Sequence, residues 1–311
     1  MSVFTRRVAI GSIAALLFIA GCQGASNSPS ASASASANAT PVATVPSDAL
    51  AFAGKLTVCI DIPYPPQEFF DEEGNPTGSD VDIAVEIAHR LGLESRIENS
   101  VFSTIIEAVT SGKCDIIVSA QNITTDRLGQ VNMIPYFQAG QAFVVAKGNP
   151  AGIKTELDLC GKKAAAETGT TEVEYVNGTG DYAGGGLNKK CTDASKPKVE
   201  MKEYEKDSDA LLALSGGQAD AYFADSPVAG YYTVQQPDQF ELSGVTVEVA
   251  QEGISVPKDV PGETIKTELA DAVVTALKSM MADNTYLDIL TKYGLQDGAV
   301  DASEVQVKTG D

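Results

Sequence analysis

The stretch from Asp115 to Arg127, DIIVSAQNITTDR, places an arginine shortly after a short apolar run. The run from Ile116 to Val118 is typical of a buried strand, and Thr124 and Thr125 are residue types that begin helices. Ligands of open α/β sheets bind beyond the carboxyl ends of the strands. A guanidinium at such a place can bind a carboxylate through two parallel hydrogen bonds. Arg127 is therefore a candidate carboxylate-binding residue, and the alternative is a surface arginine paired with a neighbouring acid.

A second stretch repeats this pattern later in the chain. Residues 108–119 align with residues 213–224, and each segment consists of a predicted helix end, a glycine turn, an aspartate and a strand. The second segment ends on Asp225. One explanation is chance similarity in a common helix-turn-strand unit. The other is two lobes of similar build, each directing a strand end into a shared cleft, one with a cation and the other with an anion.

Three further elements complete the predicted surroundings. The run from Lys55 to Ile60 predicts a strand that presents Asp61 and Tyr64 at its carboxyl end. The stretch after Glu167 opens a helix at Gly169-Thr170-Thr171, where free backbone N–H groups and hydroxyls form an anion site.

Between them, a helix is expected to begin with Ser79 or Asp80 as its cap. Its predicted apolar face consists of Val81, Ala84, Val85, Ala88 and Leu91.

The N-terminus has the pattern of an export signal. Arg6 and Arg7 precede an apolar run, Val8 to Ala20, that is too short to span a membrane, and Gly21-Cys22 follows. This pattern resembles a bacterial lipobox, which implies a signal peptide over residues 1–21 and lipidation of Cys22. Residues 22–50 are mostly Ser, Ala, Thr, Asn and Pro. Since they bury too little apolar surface to offset their ordering entropy, we predict a disordered tether.

The charge of the chain excludes several partners. The formal charge is −20, and it becomes −22 when the signal peptide is removed, because that segment carries two arginines and no acid. Nucleic acid and anionic lipid both require basic surfaces, so neither is an expected partner.

The cysteines indicate disulfides rather than a metal site. With Cys22 lipidated, four cysteines remain, and an even number in an exported protein suggests disulfides. Cys160 and Cys191 flank one glycine-rich segment, so we predict that they pair; Cys59 and Cys114 would then pair by default. No Cys-x-x-Cys motif or Cys/His cluster is present, so we expect no zinc and no cofactor.

Taken together, four motifs resemble the solute-binding protein family 3 of ABC importers. They are GSDVDIAVEIA at 78–88, NITTDR at 122–127, GTT at 169–171 and DAYFAD at 220–225, and the resemblance extends over residues 56–295. Ser79 departs from the family pattern, which has a large apolar residue there. The resemblance implies an α/β fold of the type II periplasmic-binding-protein class. Lobe 1 would comprise residues 51–145 and 250–311, and lobe 2 residues 146–249, with crossings near 144–147 and 245–249.

The resemblance also implies roles for individual residues. Tyr64 and Phe102 would hold the ligand between their rings, and Asp225 would bind its α-ammonium group. The ligand carboxylate would be bound by one arginine, by groups that follow the strand, and by the start of a helix: Arg127, Ser119, Ala120, Asn122, Thr170 and Thr171. Asn122 stands where the family often has Ser or Thr, and it has no hydroxyl to offer the ligand there.

These roles lead to a functional prediction. Asp61 lies where basic amino acid receptors of the family contact a cationic side chain, and Glu167 lies at another pocket position. We therefore predict a lipid-anchored, extracytoplasmic, monomeric receptor that closes on a cationic L-amino acid and delivers it to an ABC permease. The alternatives are a receptor for Glu, Gln or another polar amino acid, an enzyme resembling cyclohexadienyl dehydratase, and a ligand-sensing module for a separate signalling protein.

Overall fold

A computed structural model describes residues 40–310 of the chain. The predicted signal peptide, Cys22 and the tether up to residue 39 lie outside the described residues. Residues 41–50, predicted as the end of the tether, lie on the folded body. Val42 donates its N–H to the carbonyl of Arg90 at 2.9 Å, Ala49 is fully buried, and Lys266 Nζ donates to the Ala49 carbonyl at 2.7 Å. This corrects the C-terminal boundary of the predicted tether, because its last apolar residues contribute to the core.

The described residues form an α/β structure. Its strands are β1 Lys55–Ile60, β2 Phe69–Phe70, β3 Pro76–Thr77, β4 Glu94–Asn99, β5 Ile116–Ile117, β6 Val131–Ala146, β7 Lys163–Glu167, β8 Glu200–Tyr204, β9 Ala221–Asp225 and β10 Phe240–Pro257. Its α-helices are α1 Ser79–Arg90, α2 Ile105–Thr110, α3 Thr125–Gln130, α4 Thr171–Asn177, α5 Gly186–Asp193, α6 Asp207–Ser215, α7 Ser226–Gln235, α8 Ile265–Ala282 and α9 Thr285–Lys292. Between residues 40 and 310 there is no helix long and apolar enough to cross a membrane.

The main sheet has eight strands in the order β4-β1-β5-β10-β6-β9-β7-β8. Parallel pairs β4-β1-β5 lie at one end and parallel pairs β9-β7-β8 at the other, and the long antiparallel pair β6 and β10 joins them. Each parallel end has helices packed on it and its own apolar cluster. The fold is therefore two-lobed, with a first lobe around β1 and a second lobe around β7.

The sequence repeat is also a structural repeat. Asp115 precedes β5; its N–H donates to the Thr57 carbonyl of β1 at 2.8 Å, and its carboxylate accepts the Thr57 N–H at 2.7 Å. Asp220 precedes β9 and forms the same two bonds with Lys163 of β7, both at 2.8 Å. Each aspartate thus fastens its strand to a parallel neighbour. As a result, the two strands present their carboxyl ends, which lead to Arg127 and Asp225, in equivalent ways.

The connection between the lobes lies in the middle of β6 and β10. Gln141 to Val144 of β6 already pair with β9 of the second lobe, so the first crossing lies earlier than the predicted 144–147. The pairing of β6 with β10 is irregular between Val247 and Ala250 and between Glu252 and Gly253. Such bulges bend a strand locally, as a hinge requires. The lobe boundaries remain predictions, because both strands run unbroken through the two lobes.

Helix α1 differs in detail from its prediction. Gly78 is the N-cap, and both Ser79 and Asp80 are buried. Val81, Ala84, Ala88 and Leu91 face the core as predicted, together with Ile83 and Ile87, whereas Val85 is exposed. The buried stripe is therefore rotated toward Asp80, which places that carboxyl group inside the protein.

Both predicted disulfides are confirmed. Cys59 of β1 is bonded to Cys114, which lies just before β5, and Cys160 is bonded to Cys191 of α5. The first disulfide fastens two elements that lead into the cleft. The second joins two cysteines that are 31 residues apart in the sequence, and it lies within the second lobe.

Candidate ligand-binding site

All eleven residues predicted to bind the ligand line one cavity between the lobes. They come from loops after β1, β4 and β5, from α3, from the end of β7 with the start of α4, and from the end of β9: Asp61, Tyr64, Phe102, Ser119, Ala120, Asn122, Arg127, Glu167, Thr170, Thr171 and Asp225. Glu68 and Glu172, which the sequence reasoning missed, complete the lining. Five of the thirteen lining residues are therefore acids, and Arg127 is the single cation among them.

Arg127 is held in a fixed orientation in the first turn of α3. Its guanidinium Nη1 donates to the Asn122 carbonyl at 2.8 Å, and Nη2 donates across the cleft to the Gly169 carbonyl at 3.1 Å. The guanidinium carbon lies 5.3 Å from the centre of the Phe102 ring. Each terminal nitrogen of an arginine carries a second N–H group. Arg127 thus retains one further N–H on each terminal nitrogen that it can donate to a carboxylate.

Thr171 is connected to both lobes at the start of α4. Its hydroxyl oxygen accepts from Asn122 Nδ2 and from Gln141 Nε2, each at 2.7 Å. The Thr170 hydroxyl instead donates to the Glu167 carbonyl at 2.8 Å, which closes the turn before the helix. Asn122 therefore uses its amide to hold Thr171, where a Ser or Thr hydroxyl was the common family choice.

Tyr64 and Asp225 meet across the cleft. The Tyr64 hydroxyl donates to Asp225 Oδ2 at 3.0 Å and accepts the Asp225 N–H at the same distance. Asp225 is 3% exposed and ends β9. The second carboxylate oxygen of Asp225, Oδ1, has no hydrogen-bond partner among residues 40–310.

Ser119 and Ala120 organise the carboxyl end of β5. The Ser119 hydroxyl accepts the Asp61 N–H at 2.9 Å and donates to Glu68 Oε1 at 2.7 Å. Ala120 has a positive φ of 44°, and its N–H donates to Asp80 Oδ2 at 2.9 Å. Asp80 thus holds a backbone conformation that is uncommon for a residue with a side chain.

Asp61 and Glu167 lie side by side at the end of the cavity near Lys206, and only one of them is paired with that lysine. Asp61 Oδ2 accepts the Phe102 N–H at 2.7 Å, and Oδ1 forms an ion pair with Lys206 of the second lobe. Glu167 lies beside Asp61, and its Oε1 has no hydrogen-bond partner among the described residues. Of these two neighbouring carboxyl groups, Lys206 forms an ion pair with Asp61 only.

Unpartnered acceptors are concentrated in this cavity. Four lining carboxyl groups each have one buried oxygen with no hydrogen-bond partner in residues 40–310: Glu68, Glu167, Glu172 and Asp225. Buried acceptors without a donor cost free energy. The cavity therefore requires donors, and ammonium and guanidinium groups offer donors only.

The pKa values of these acids reflect their burial. Burial raises the pKa of Asp225 to about 7, although Tyr64 and Arg127 lower it in part. Burial, together with the charges of Asp61 and Asp207, raises the pKa of Glu167 to about 10. Burial also raises the pKa values of Glu68 and Glu172 well above their usual range. A cation placed among these groups would lower their pKa values again, because it favours the ionised form.

The residues that the sequence reasoning missed carried different signals. Glu172 directly follows Thr171 in the first turn of α4, so its position at the helix start was visible in the sequence. Glu68 and Lys206 reach the site only through tertiary contacts, and neither lies in a motif that we recognised.

Comparison with known proteins identifies a family for this chain. The family model for bacterial extracellular solute-binding proteins, family 3, matches residues 56–296. An arginine-binding protein of Corynebacterium glutamicum is 28% identical over 260 residues, which is 83% of this chain and 80% of that protein.

Several solved structures are similar to this protein in fold as well as in sequence. An ancestral arginine-binding protein bound to arginine is 35% identical to this chain, with a TM-score of 0.67. The match covers 78% of this chain and 98% of the chain of that protein. The same values of identity and TM-score hold for an ancestral arginine-binding protein bound to glutamine, which covers 78% and 99%. An ancestral amino acid-binding protein described as a precursor of cyclohexadienyl dehydratase is 30% identical with a TM-score of 0.64, covering 77% and 95%. With its family model matched over most of the body, its two-lobed sheet and its cleft between the lobes, this chain belongs to the bacterial extracellular solute-binding proteins of family 3.

Proposed function

We propose that this protein is the extracytoplasmic substrate-binding component of an ABC importer and that it binds a cationic L-amino acid, arginine in the first place. The observation that carries this proposal is the set of four buried carboxyl groups with unpartnered oxygens around one cavity. A neutral or acidic side chain supplies too few donors, whereas a guanidinium supplies five.

The proposed ligand orientation follows from charge. Arg127 and Thr171 would bind the α-carboxylate, and Asp225 would bind the α-ammonium group through its unpartnered oxygen. The side chain would run between the rings of Tyr64 and Phe102. Its cationic end would then reach Glu167 in the acidic part of the cavity. A zwitterion needs both an anion and a cation at fixed separation, since unpaired buried charges are costly.

Ligand-linked closure of the lobes is part of the proposal. The proposed carboxylate site draws Arg127 from one lobe and Thr171 from the other, and the proposed ammonium site joins Tyr64 to Asp225 across the cleft. A ligand can contact both sets only when the lobes are together, so binding favours the closed arrangement.

A calorimetric panel tests the ligand class. We expect arginine, lysine and ornithine to bind, arginine the most tightly, and citrulline to bind much more weakly, because citrulline has nearly the shape of arginine without its charge. Tight binding of glutamine or glutamate without binding of arginine would contradict the cationic assignment.

The anchor and the partners belong to the same proposal. Cys22 would carry the lipid, the protein would remain monomeric, and its partner would be an ABC permease. Cys22→Ala should release the exported protein from the membrane fraction, as measured by fractionation. Co-purification with a sensor kinase instead of a permease would favour the sensing alternative.

A dehydratase-like activity is the second candidate. Glu167 favours it, because in the cavity without a bound cation its pKa of about 10 keeps the carboxyl group protonated at neutral pH, as a general acid requires. One structural neighbour is described as a dehydratase precursor. Five acids around the cavity disfavour an anionic cyclohexadienyl substrate, so we expect no turnover of such acids by this protein.

A further inference from the structure

Lys206 of the second lobe pairs with Asp61 at one end of the cleft, although Lys206 itself does not line the cavity. It lies just before α6, and its ammonium group pairs with Asp61 Oδ1 and donates to the Ser100 carbonyl at 3.3 Å. Both acceptors belong to the first lobe. The side chain of Asp61 is 4% exposed and that of Lys206 is 24% exposed. The pair is therefore far more sheltered than an ordinary surface ion pair.

This ion pair distinguishes Asp61 from Glu167, the two acids that the sequence analysis placed in the pocket. Both oxygens of Asp61 have protein donors, namely Lys206 and the Phe102 N–H. Glu167 Oε1 has no partner among the described residues, although Glu167 lies beside Asp61. Asp61 is thus neutralised by the protein itself, and Glu167 has the remaining acceptor.

We propose that Lys206 is a specificity-determining residue, a resident cation that neutralises Asp61 and leaves Glu167 as the acid that distinguishes a cationic side chain. This inference rests on the proposed function. Lys206 lowers the preference of the cavity for a cationic side chain, because it compensates one of the two acids at that end. Its loss leaves Asp61 as a second unpaired acid facing the ligand, and the loss of Asp61 leaves Lys206 as an unpaired cation that repels the ligand.

The test compares arginine with citrulline by calorimetry. The measured quantity is the ratio of the citrulline Kd to the arginine Kd, in which any effect on lobe closure common to the two ligands cancels. In Lys206→Met we expect the ratio to rise about tenfold, the size of one hydrogen bond to a charged group. In Asp61→Asn we expect it to fall below the wild-type value. In the double variant we expect it to return close to the wild-type value.

Lys202→Met is the matched control. Lys202 lies on β8 of the same lobe and pairs with Glu200 on an exposed surface, so this change removes the same charge without touching the cleft. Its ratio should equal that of wild type. Thermal unfolding of each variant checks that the fold is retained.

Several outcomes would overturn the inference. An unchanged or lower ratio in Lys206→Met would mean that Lys206 is only a rim lysine. A double variant as low as Asp61→Asn alone would mean that Asp61 contacts the ligand directly and that Lys206 does not compensate it. Wild-type protein that fails to bind arginine at all would overturn the proposed function and this inference with it. Arginine binding with an unaffected ratio would overturn this inference alone.

Discussion

At the scale of single residues, Arg127 and Asp225 carry the proposed recognition of the amino acid backbone. They are 7% and 3% exposed, and the two residues come from different lobes. Asp225 Oδ2 is already occupied by the Tyr64 hydroxyl, whereas Oδ1 has no partner among residues 40–310. The two residues would act on groups that all α-amino acids share, so they would contribute affinity and not selectivity.

Arg127→Ala and Asp225→Asn should each weaken arginine binding by at least about thirtyfold, because each leaves one ligand charge buried without a partner. Both changes should weaken citrulline binding to a similar extent, which distinguishes them from Lys206→Met. Titration calorimetry with both ligands measures this.

The control for these variants is Asp193→Asn. Asp193 is an exposed acid that pairs with Lys189 on α5, so its loss changes net charge as Asp225→Asn does. Its Kd should match that of wild type. Wild-type affinity in either cleft variant would show that the backbone-binding assignment is wrong.

At the scale of elements, the two disulfides have different relations to the site. Cys59 lies two residues before Asp61, and Cys114 directly precedes Asp115, which fastens β5 to β1. The disulfide between Cys160 and Cys191 lies in the second lobe, and neither cysteine lines the cavity. One disulfide therefore positions residues of the cleft, and the other only stabilises a lobe.

The double variant Cys160→Ser/Cys191→Ser should lose about 3–4 kcal/mol of unfolding free energy, as the loop-closure relation gives for this separation. Its arginine Kd should stay within about twofold of wild type, because the change is remote from the ligand. The matched variant Cys59→Ser/Cys114→Ser should lose both stability and affinity. Denaturant unfolding and calorimetry on both variants test this, and equal losses of affinity would contradict it.

The elements also explain which sequence predictions succeeded. The strand-turn-helix units around Arg127 and Asp225 were predictable, because an apolar run, a glycine turn and a threonine cap act over a few neighbouring residues. Helix α1 was predicted with Asp80 as a possible cap, but Asp80 is 1% exposed and supports Ala120 from the core. The role of a polar residue on the buried face of a helix can be predicted only when its hydrogen-bond partner, which is distant in the sequence, is known.

At the scale of the whole molecule, the closed cleft holds more acid than cation. Several bonds join the lobes: Tyr64 to Asp225, Lys206 to Asp61, Asn122 to Thr171 and Arg127 to Gly169. The carboxyl groups enclosed by these contacts have raised pKa values, mainly through burial. Closure, proton binding and cation binding are therefore linked.

Between about pH 5 and pH 8, we expect the ligand-free protein to become less stable and arginine binding to become tighter. The pKa of Asp225 is raised in the folded protein, to about 7. Its contribution to stability is fully present below the ordinary carboxyl pKa and is lost as pH rises through 7. Arginine favours the ionised carboxylates, so its binding releases protons and strengthens as pH rises, by at most about tenfold per pH unit for each proton released.

Thermal unfolding at both ends of this pH range, with and without saturating arginine, measures the two opposite trends. The Tm without ligand should fall with pH, and the increase in Tm caused by arginine should grow. Citrulline serves as the control, because it lacks the side-chain charge and should show a weaker pH dependence. An arginine Kd that rises between pH 5 and pH 8 would contradict the proposed charge pairing.

The sequence by itself determined the two-lobed class, the repeated units, the disulfide pairs and eleven residues that line the cavity, because each depends on local patterns or on a family motif. Only the tertiary structure decided that Glu68 and Glu172 join that lining and that Lys206 neutralises Asp61. Lys206 and Asp61 are 145 residues apart in the chain. Their meeting depends on how two lobes close, and the charge balance at the side-chain end of the cleft depends on that meeting.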